Sequence, residues 1–340
     1  MKVIDLEQHF ETKLWVDALK NNSSYPKFDA QKGLGYWEDS WIPNTKTGAN
    51  EKLLDLGEGR LQLMDECGID YAQLSLTSPG SESFPAEVSK KIAEDANNQA
   101  AKAIEQHPDR FGAYMTLAPK EPDWSLKEID RCLKMGLWGW HTHSNYKDVY
   151  LDEKQFWPIL ERCEELNMPI YIHPAATTAK ELRTFGICLS APTFGFGVDT
   201  QYCFLRMIHR GVFDAFPNLK IILGHFGECF PFTVDRINAA YRQGYGMPLP
   251  EIGGGYEHEP GYYVKKNLWT TSSGNYSKEA LYCTRDTLGM DRIMMGTDHP
   301  YEKMNLGVDM MVKDVPLTEE ERRLYLFENA RKLGFAKIYN

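Results

Sequence analysis

The sequence predicts an α/β fold of the (β/α)8 type, a TIM barrel with long loop insertions at the C-terminal face of its strands. Apolar, β-branched runs alternate with longer helical patterns, and eight such runs occur along the chain. The length of 340 residues suits one large barrel with insertions. The competing topology, an open doubly wound sheet, usually has a glycine-rich loop after its first strand, whereas this chain continues with EQHFETKLW from residue 7. We therefore predict a single barrel domain over residues 1–340.

The predicted strands and helices cover most of the chain. The strands are placed at 3–7, 70–76, 111–117, 137–141, 169–172, 219–223, 267–272 and 292–296. The helices are placed at 54–67, 86–107, 125–135, 153–167, 201–215, 230–243 and 277–288, followed by a C-terminal pair near 304–312 and 318–332. The helix predicted at 153–167 shows the helical spacing clearly, because Phe156, Ile159, Leu160, Cys163 and Leu166 fall on one face.

Three long irregular segments, at 21–53, 174–200 and 244–266, are rich in glycine, proline and aromatic residues. Each follows or lies near the C-terminal end of a strand, where barrel enzymes build their substrate pockets. Within the first segment, GLGYWE at 33–38 follows no predicted strand, so we expect it to be a loop.

Composition and charge exclude several classes of function. The chain has 42% hydrophobic and 25% charged residues, as globular domains do, and a net charge of -10. An acidic chain without a cluster of lysine and arginine is a poor candidate for binding nucleic acid. No apolar run reaches the ~18 residues that a transmembrane helix needs, so we predict no membrane span.

The seven cysteines indicate a reducing compartment. Their number is odd and no two of them form a CxxC pair, which argues against both a disulfide framework and a zinc ribbon. The opening residues, MKVIDLEQHF, lead directly into a strand that carries acids, so we expect no signal peptide. The predicted location is therefore the cytoplasm.

Acidic and imidazole side chains stand where the predicted strands end. Glu7 and His9 end the first strand, and residues two apart on a strand share a face. His173 ends the fifth strand, His225 the sixth and Asp298 the eighth, so all are expected at the same rim of the barrel. Each alone has an ordinary explanation, such as a packed histidine or an aspartate that caps a helix. Together, two buried carboxylates need a cation, and two imidazoles beside them suit zinc or manganese. We therefore predict one divalent ion, Zn²⁺ or Mn²⁺, held by Glu7, His9, His173 and Asp298.

The order of these motifs resembles that of the amidohydrolase superfamily. The motifs are ExH at 7–9, IHP at 172–174, GHFGE at 224–228 and GTDHPYE at 296–302. The similarity is closest to the branch that holds aminocarboxymuconate-semialdehyde decarboxylase and the γ-resorcylate and 5-carboxyvanillate decarboxylases, and it covers essentially the whole chain. Hydrolases of the superfamily commonly carry HxH on the first strand, whereas Glu7 replaces the first histidine here. This replacement is similar to the hydroxybenzoate decarboxylases rather than to the semialdehyde decarboxylase.

The resemblance implies a role for each residue of the site. The four residues above match the family's metal ligands, and Asp298 also matches its proton donor. His225 matches a catalytic histidine or one beside the metal, which Glu228 would hold or orient. Arg236 matches an arginine that reaches the substrate carboxylate, sometimes across a subunit interface. Two alternatives stay open: Glu228 as a helix N-terminal acid, and Arg236 as a surface arginine paired with a nearby acid. Related enzymes are dimers or tetramers, so the resemblance implies a homodimer or homotetramer.

The fourth strand carries two further histidines, in WGWHTHSNY at 138–146. His143 is a candidate to contact polar groups of the substrate, whereas His141 is expected only to pack. The superfamily can use a lysine on this strand to bridge two metals, and none occurs here, so the resemblance implies a single ion.

The predicted function is the reversible, non-oxidative decarboxylation of an ortho-hydroxybenzoate-type aromatic acid, with release of carbon dioxide. The carboxylate and phenolic oxygen of such a small acid can both bind one divalent ion. Protonation by Asp298 of the ring carbon that carries the carboxylate gives a dienone, from which carbon dioxide leaves as the ring regains aromaticity. Phe10, Trp15, Phe185 and Phe194 are candidates to wall the ring, although ordinary packing is favoured for each of them individually.

The main alternative is a metal-dependent hydrolase of a lactone or related carboxylated substrate, in which His225 or Asp298 accepts a proton from water. Its fold and ligands would be nearly identical, so the fold alone does not decide. A third reading is a barrel that has lost catalysis, which the complete set of candidate ligands argues against.

Overall fold

Parallel strands form the centre of the computed structural model, which describes residues 1–39, 41–43, 51–147, 149–245, 255–310 and 314–339, with the backbone only for 41–43. The strands are β1 Ile4–Phe10, β2 Lys27–Asp29, β3 Leu34–Tyr36, β4 Trp41–Pro43, β5 Tyr71–Leu76, β6 Phe111–Ala113, β7 Trp140–His143, β8 Ile170–His173, β9 Ile221–Leu223, β10 Leu268–Thr271 and β11 Ile293–Met294.

The helices lie mainly between these strands. Their bounds are Lys13–Asn21, Glu51–Leu54, Glu58–Cys67, Ala86–Gln106, Pro122–Lys134, Trp157–Glu165, Lys180–Arg183, Ile187–Ser190, Gly195–His209, Val212–Ala215, Phe230–Arg242, Pro260–Asn267, Lys278–Leu288, Met304–Asp309, Glu319–Arg323 and Asn329–Lys332. Short 3₁₀ turns occur at Lys154–Phe156, Met290–Arg292 and Lys337–Tyr339, and a π-helical turn at Leu324–Glu328. None of the helices in the described parts of the chain combines the length and the apolar composition of a membrane span.

Backbone hydrogen bonds close eight of the strands into a barrel. Neighbouring strands pair in parallel in the orders β1, β5, β6 and β7, β8, β9, β10, β11. The two sheets join where Met115 N donates to Gly139 O at 2.8 Å, and where Leu6 N donates to Met295 O at 3.0 Å. The predicted (β/α)8 barrel is confirmed, and each of its eight predicted strands is present.

Apolar side chains fill one end of the barrel. They come from strands around the barrel and from the C-terminal segment: Ile4, Leu6, Tyr71, Tyr114, Tyr171, Ile222, Met294, Ala330, Leu333, Phe335 and Ala336. Because this end is packed and closed, polar chemistry is confined to the opposite rim, where the strands have their C-terminal ends.

An irregularity in β1 decides which side chains face the barrel interior. Between Asp5 and Gln8 this strand advances three residues while its partner β5 advances two. Leu6 belongs to the apolar filling, yet Glu7, the next residue, lies in the polar group at the rim. The extra residue is a β-bulge, which changes the phase of the alternation so that Glu7 and His9 both face inward. The strand also continues past its predicted end at residue 7.

The prediction of a loop at 33–38 is wrong. β2, β3 and β4 form a small antiparallel sheet within the first long segment. Strands of three residues are too short to show an alternating pattern, so no periodicity reveals them. The sheet carries Trp37 to the rim of the barrel, where its indole stacks on Phe196 with centroids 5.7 Å apart.

The other long segments also carry structure. The segment at 174–200 contains two short helices and the start of the longer helix Gly195–His209. Residues 40 and 44–50 of the first segment and 246–254 of the third lie outside the described residues.

Candidate active site

Four side chains from three strand ends meet at the open rim of the barrel. Their ligand atoms all lie within 4.8 Å of one another: Glu7 and His9 from β1, His173 from the end of β8, and Asp298 from the loop after β11. Glu7 Oε1 lies 3.6 Å from His9 Nε2 and 3.4 Å from His173 Nε2. Asp298 Oδ1 lies 3.1 Å from His9 Nε2. Only Asp298 is partly exposed, so the group opens to solvent on the side of that aspartate.

The protonation of His173 shows that these residues suit a cation. Pro174 follows the end of β8, and its carbonyl oxygen lies 2.9 Å from His173 Nδ1. Since a carbonyl only accepts, Nδ1 carries the ring proton, and the lone pair of Nε2 faces Glu7 Oε1. That oxygen is buried and has no hydrogen-bond partner among the described residues. Two facing acceptors repel unless a cation lies between them, and two imidazoles with two carboxylates fit zinc or manganese.

Burial and neighbouring charges set the protonation of the ligands. Burial lowers the pKa of His173 well below its ordinary value, so the ring is neutral, as a metal ligand must be. Burial acts in the same direction on His9, but the carboxylates of Asp298 and Glu7 outweigh it and raise the pKa of His9 to about 9. Without a cation, a proton on His9 balances the carboxylates, and a bound ion displaces it. Burial, together with the nearby charge of Glu7, raises the pKa of Asp298.

Two buried side chains hold the ligands of β1 in place. The phenol of Tyr171 donates a hydrogen bond to Glu7 Oε2, and burial raises the pKa of that phenol, so it stays a donor. Arg60 is buried and donates from Nη2 to the backbone oxygen of His9 at 2.8 Å. Neither residue was predicted from the sequence. Strand alternation could have predicted that Tyr171 faces the barrel interior, because it stands two residues before His173 on β8.

A left-handed turn after β9 brings His225 beside the ligands. The five residues 225–229 have φ values between 52° and 78°, a conformation that costs roughly 1–2 kcal/mol for each residue other than glycine. The turn places His225 Nδ1 2.5 Å from Glu228 Oε1. Burial would lower the pKa of His225, but the charge of Glu228 outweighs it and raises that pKa to about 10, so the ring is an imidazolium. Strain of this kind persists where the surrounding packing enforces it, and it is typical of functional sites.

Gly274 lets the imidazolium and Asp298 approach each other. Its φ is +63°, and a Cβ at this position would lie 2.9 Å from His225 Cδ2 and 3.4 Å from Asp298 Oδ2. A side chain at Gly274 would therefore intrude between the two groups.

A cavity of about 750 Å³ opens above the ligands. Its floor includes His173, His225 and Asp298, and its walls are largely apolar. The aromatic residues that line it are Trp37, Phe194, Phe196, Phe226, Phe232 and Tyr301. Its lining, as far as the described residues show it, contains no lysine or arginine. The walls therefore suit a planar apolar ring, whose negative charge a bound cation and the imidazolium would balance.

Only one of the aromatic residues predicted to wall a ring lies in this lining. Phe194 lines the cavity. Phe10 and Trp15 are buried in the main hydrophobic core, where ordinary packing explains them. Phe185 is 68% exposed and is not among the lining residues. For Phe10 and Trp15 the favoured interpretation, ordinary packing, is confirmed, whereas Phe185 neither packs in the core nor lines the cavity among the described residues.

The match to a known family covers nearly the whole chain. The family model described as Amidohydrolase matches residues 4–333. The chain belongs to the amidohydrolase family. Gamma-resorcylate decarboxylase of Polaromonas sp. (strain JS666) is 29% identical to this amidohydrolase over 340 residues, which cover 97% of each chain.

Solved structures of decarboxylases share the fold of the amidohydrolase. 5-Carboxyvanillate decarboxylase from Novosphingobium aromaticivorans, complexed with manganese and 4-hydroxy-3-methoxy-5-nitrobenzoic acid, is 30% identical with a TM-score of 0.86, over 98% of this chain and 95% of that one. Dihydroxybenzoic acid decarboxylase from Polaromonas sp. JS666, with bound manganese and the inhibitor 2-nitroresorcinol, is 28% identical with a TM-score of 0.83, over 100% of this chain and 98% of that one. The resemblance to the branch of γ-resorcylate and 5-carboxyvanillate decarboxylases is confirmed.

Arg236 of the amidohydrolase lies away from the main cavity of its own chain. It is exposed on the helix Phe230–Arg242 and lines a separate cleft of about 240 Å³. Phe232, one helical turn earlier, is 83% exposed and does line the main cavity. A surface ion pair with Glu228 does not form, because Glu228 holds His225. Contact between Arg236 and a substrate stays a prediction.

His143 of the amidohydrolase is buried behind the ligand His173, with ring centroids 5.7 Å apart. Its Nδ1 lies 3.2 Å from Oε2 of Glu82, a buried acid that no sequence motif singles out. His143 is not among the residues that line the main cavity, so its contact with a substrate also stays a prediction. His141 stacks on Tyr171 with centroids 5.5 Å apart, as a packing residue does.

Proposed function

We propose that this amidohydrolase is a metal-dependent, non-oxidative decarboxylase of an ortho-hydroxybenzoate-type aromatic acid, a carbon–carbon lyase that releases carbon dioxide. The observation that carries the proposal is the convergence of Glu7, His9, His173 and Asp298 at the floor of an apolar cavity. The relatives described above are decarboxylases, and this favours decarboxylation over hydrolysis of a lactone.

Glu7, His9, His173 and Asp298 would hold one divalent ion. When bound, the ion supplies Lewis-acid polarisation and neutralises negative charge on the substrate. Manganese is the more strongly supported ion, because two related structures contain it. Zinc fits the same donor set, so metal analysis of the purified protein decides between them.

Asp298 is placed to donate the proton that decarboxylation needs. In the metal-free protein, burial and the nearby charge of Glu7 raise the pKa of its carboxyl group. When the substrate's phenol is ionised, transfer of that proton to the ring carbon bearing the carboxylate gives a neutral dienone, whose carbonyl is the former phenolate oxygen. The bond to the carboxylate then breaks, its electron pair restores the aromatic ring, and carbon dioxide leaves. The partly exposed side of Asp298 lets solvent return the proton.

His225 is placed to bind the substrate's negative charge. Glu228 keeps the ring protonated, and the cavity lining that the structure describes offers no lysine or arginine for this task. A charge-assisted hydrogen bond from an imidazolium to a carboxylate is worth about 1.5–3 kcal/mol. His225 therefore orients the acid while Asp298 donates the proton.

Chelation tests the reaction class. We expect the protein to decarboxylate members of a panel of hydroxybenzoates. Ultraviolet absorbance measures the loss of the acid, and gas release measures the carbon dioxide formed. Treatment with a chelator should abolish the activity, because it removes the Lewis acid that would polarise the substrate and neutralise its negative charge, and added Mn²⁺ should restore it. Lactone opening without release of carbon dioxide would contradict the proposal and favour the hydrolase, and turnover that a chelator leaves unchanged would contradict the metal.

A homodimer or homotetramer is the assembly that we propose, with Arg236 serving a neighbouring site. Phe232 and Arg236 are four residues apart on one exposed helical face, and the Phe232 end of that face borders the cavity. The described lining contains no lysine or arginine, and a second copy of the chain could bring Arg236 to the substrate carboxylate.

Mixing two defective variants tests this arrangement. Arg236→Ala is expected to lower kcat/KM about 10–100-fold through loss of one charge-assisted pair. If Arg236 acts across subunits, a mixed dimer of one Arg236→Ala chain and one Asp298→Asn chain contains one intact site and one defective site. After subunit exchange in an equal mixture, about half of the dimers are mixed, so about a quarter of the wild-type activity should return. If Arg236 acts within its own chain, every site in the mixed dimers lacks one of the two residues, and no activity returns.

We also propose a cytoplasmic location. All seven cysteines are free thiols, with Cys188 and Cys229 exposed, as a reducing compartment allows.

A further inference from the structure

A further buried acid is hydrogen-bonded to both segments that carry the proposed carboxylate ligands. Asp5, on β1, is 0% exposed and takes no part in the proposed reaction. Its Oδ1 accepts hydrogen bonds from the backbone amides of Glu7, at 3.1 Å, and Thr297, at 2.9 Å. Its Oδ2 accepts from Gln8 Nε2 at 2.8 Å and from Thr297 Oγ1 at 2.5 Å.

These four hydrogen bonds require a carboxylate at Asp5. All four donors are uncharged, and together they use both oxygens fully. An amide of the same shape would replace one acceptor by an NH₂ group and set it against another donor. Position 5 therefore needs the two acceptor oxygens of a carboxylate, and a side chain of the same size is not sufficient.

The hydrogen bond to Glu7 compensates for the bulge in β1. The amide of Glu7 lies inside the bulge, where pairing with β5 is interrupted between Asp5 and Gln8. A buried amide without a partner is costly, and Asp5 accepts from it. In this way Asp5 stabilises the phase change that turns Glu7 and His9 inward.

The two hydrogen bonds that Thr297 donates to Asp5 hold the segment that follows β11. Thr297 immediately precedes Asp298, whose φ of 57° is uncommon for a residue with a side chain. Two bonds to Asp5 fix the point from which this strained residue leaves the barrel wall. Asp5 therefore joins the two segments that carry the carboxylate ligands, at the seam where β1 meets the residues after β11.

We infer that Asp5 is the positioning residue of the metal site, which sets the separation of the Glu7 and Asp298 carboxylates and thereby the affinity for the ion. The inference rests on the metal site of the proposed function and not on the identity of its substrate. Groups that orient metal ligands typically contribute about 10–100-fold to metal affinity.

Manganese affinity of the full-length protein tests this role. Asp5→Asn is expected to raise the Kd for Mn²⁺ about 10–100-fold, measured by competition with a chelator or by the electron paramagnetic resonance of free Mn²⁺. The matched control is Asp70→Asn. Asp70 Oδ2 accepts from Val3 N at 2.8 Å at the opposite end of the same strand, so its loss should leave the Kd unchanged. Thermal unfolding of both metal-free variants separates lost stability from lost positioning.

A second variant keeps the inference falsifiable if Asp5→Asn does not fold. Thr297→Val removes only the hydroxyl donor and is expected to raise the Kd about tenfold, the lower end of the same range. An unchanged Kd in Asp5→Asn, or in Thr297→Val where Asp5→Asn is unfolded, overturns the inference. An equal rise in Asp70→Asn overturns it as well. Wild-type protein that binds Mn²⁺ but decarboxylates no hydroxybenzoate contradicts the proposed function and leaves the role of Asp5 to be judged by the Kd alone.

Discussion

Asp298→Asn should fold and still bind Mn²⁺, but its kcat for decarboxylation should fall by about 10²–10⁴-fold. The amide keeps a neutral oxygen toward the ion and the three other ligands remain, so metal binding is weakened and not lost. The amide has no acidic proton to give to the ring carbon. The measurement is kcat from carbon dioxide release at a Mn²⁺ concentration that saturates the variant.

Glu302→Gln is the matched control for Asp298→Asn. Glu302 lines the same cavity four residues later in the chain, and the change removes a carboxylate from the lining without replacing a member of the four-residue ligand group. Its kcat should stay near the wild-type value. If Asp298→Asn stays within about tenfold of wild type at saturating metal, the proton comes from another group, and His225 is then the next candidate.

The convergence of the four candidate ligands could be predicted from the sequence because each residue ends or follows an apolar run. A parallel barrel brings all its strand ends to one rim, so the order of residues along the chain is sufficient to place His173 and Asp298 in the same region. The two-residue spacing of Glu7 and His9 places them on one face. These arguments need no knowledge of loops, and the predicted residues do meet within 4.8 Å.

Local irregularities could not be predicted in the same way. Simple alternation from Leu6 would turn Glu7 outward, and only the bulge, which depends on pairing with β5, turns it inward. The left-handed turn that joins His225 to Glu228 has no period that a sequence pattern can reveal. Trp37 reaches the cavity through a sheet of three-residue strands. None of these features follows from a regular alternation of apolar and polar residues, which is the signal that sequence analysis uses.

The pH dependence of the reaction should change when Glu228 loses its charge. In the wild type, Glu228 holds the pKa of His225 at about 10 against burial, so the imidazolium is present below that pH and is lost only as the pH rises through it. In Glu228→Gln the pKa should fall toward the ordinary value of ~6.5, and the imidazolium is then lost as the pH rises above that value. At about pH 8 only a few per cent of the ring stays charged, so kcat/KM should fall roughly thirtyfold, and near pH 6 it should approach the wild-type value.

The full pH profile of kcat/KM separates this effect from a structural one. Glu7 and Asp298 also raise the pKa of His225, but a bound cation neutralises their influence and leaves Glu228 as the dominant partner. Since the folded-state pKa lies above the unfolded one, the pair also stabilises the fold below about pH 6.5, and this stability disappears as the pH rises through about 10. Glu279→Gln removes another acid from the cavity lining. In this variant the fall of kcat/KM at high pH should occur at the same pH as in the wild type. The contradicting result is a kcat/KM of Glu228→Gln that is lower by the same factor at every pH. Glu228 would then act only by packing, and His225 would not need to be charged for catalysis.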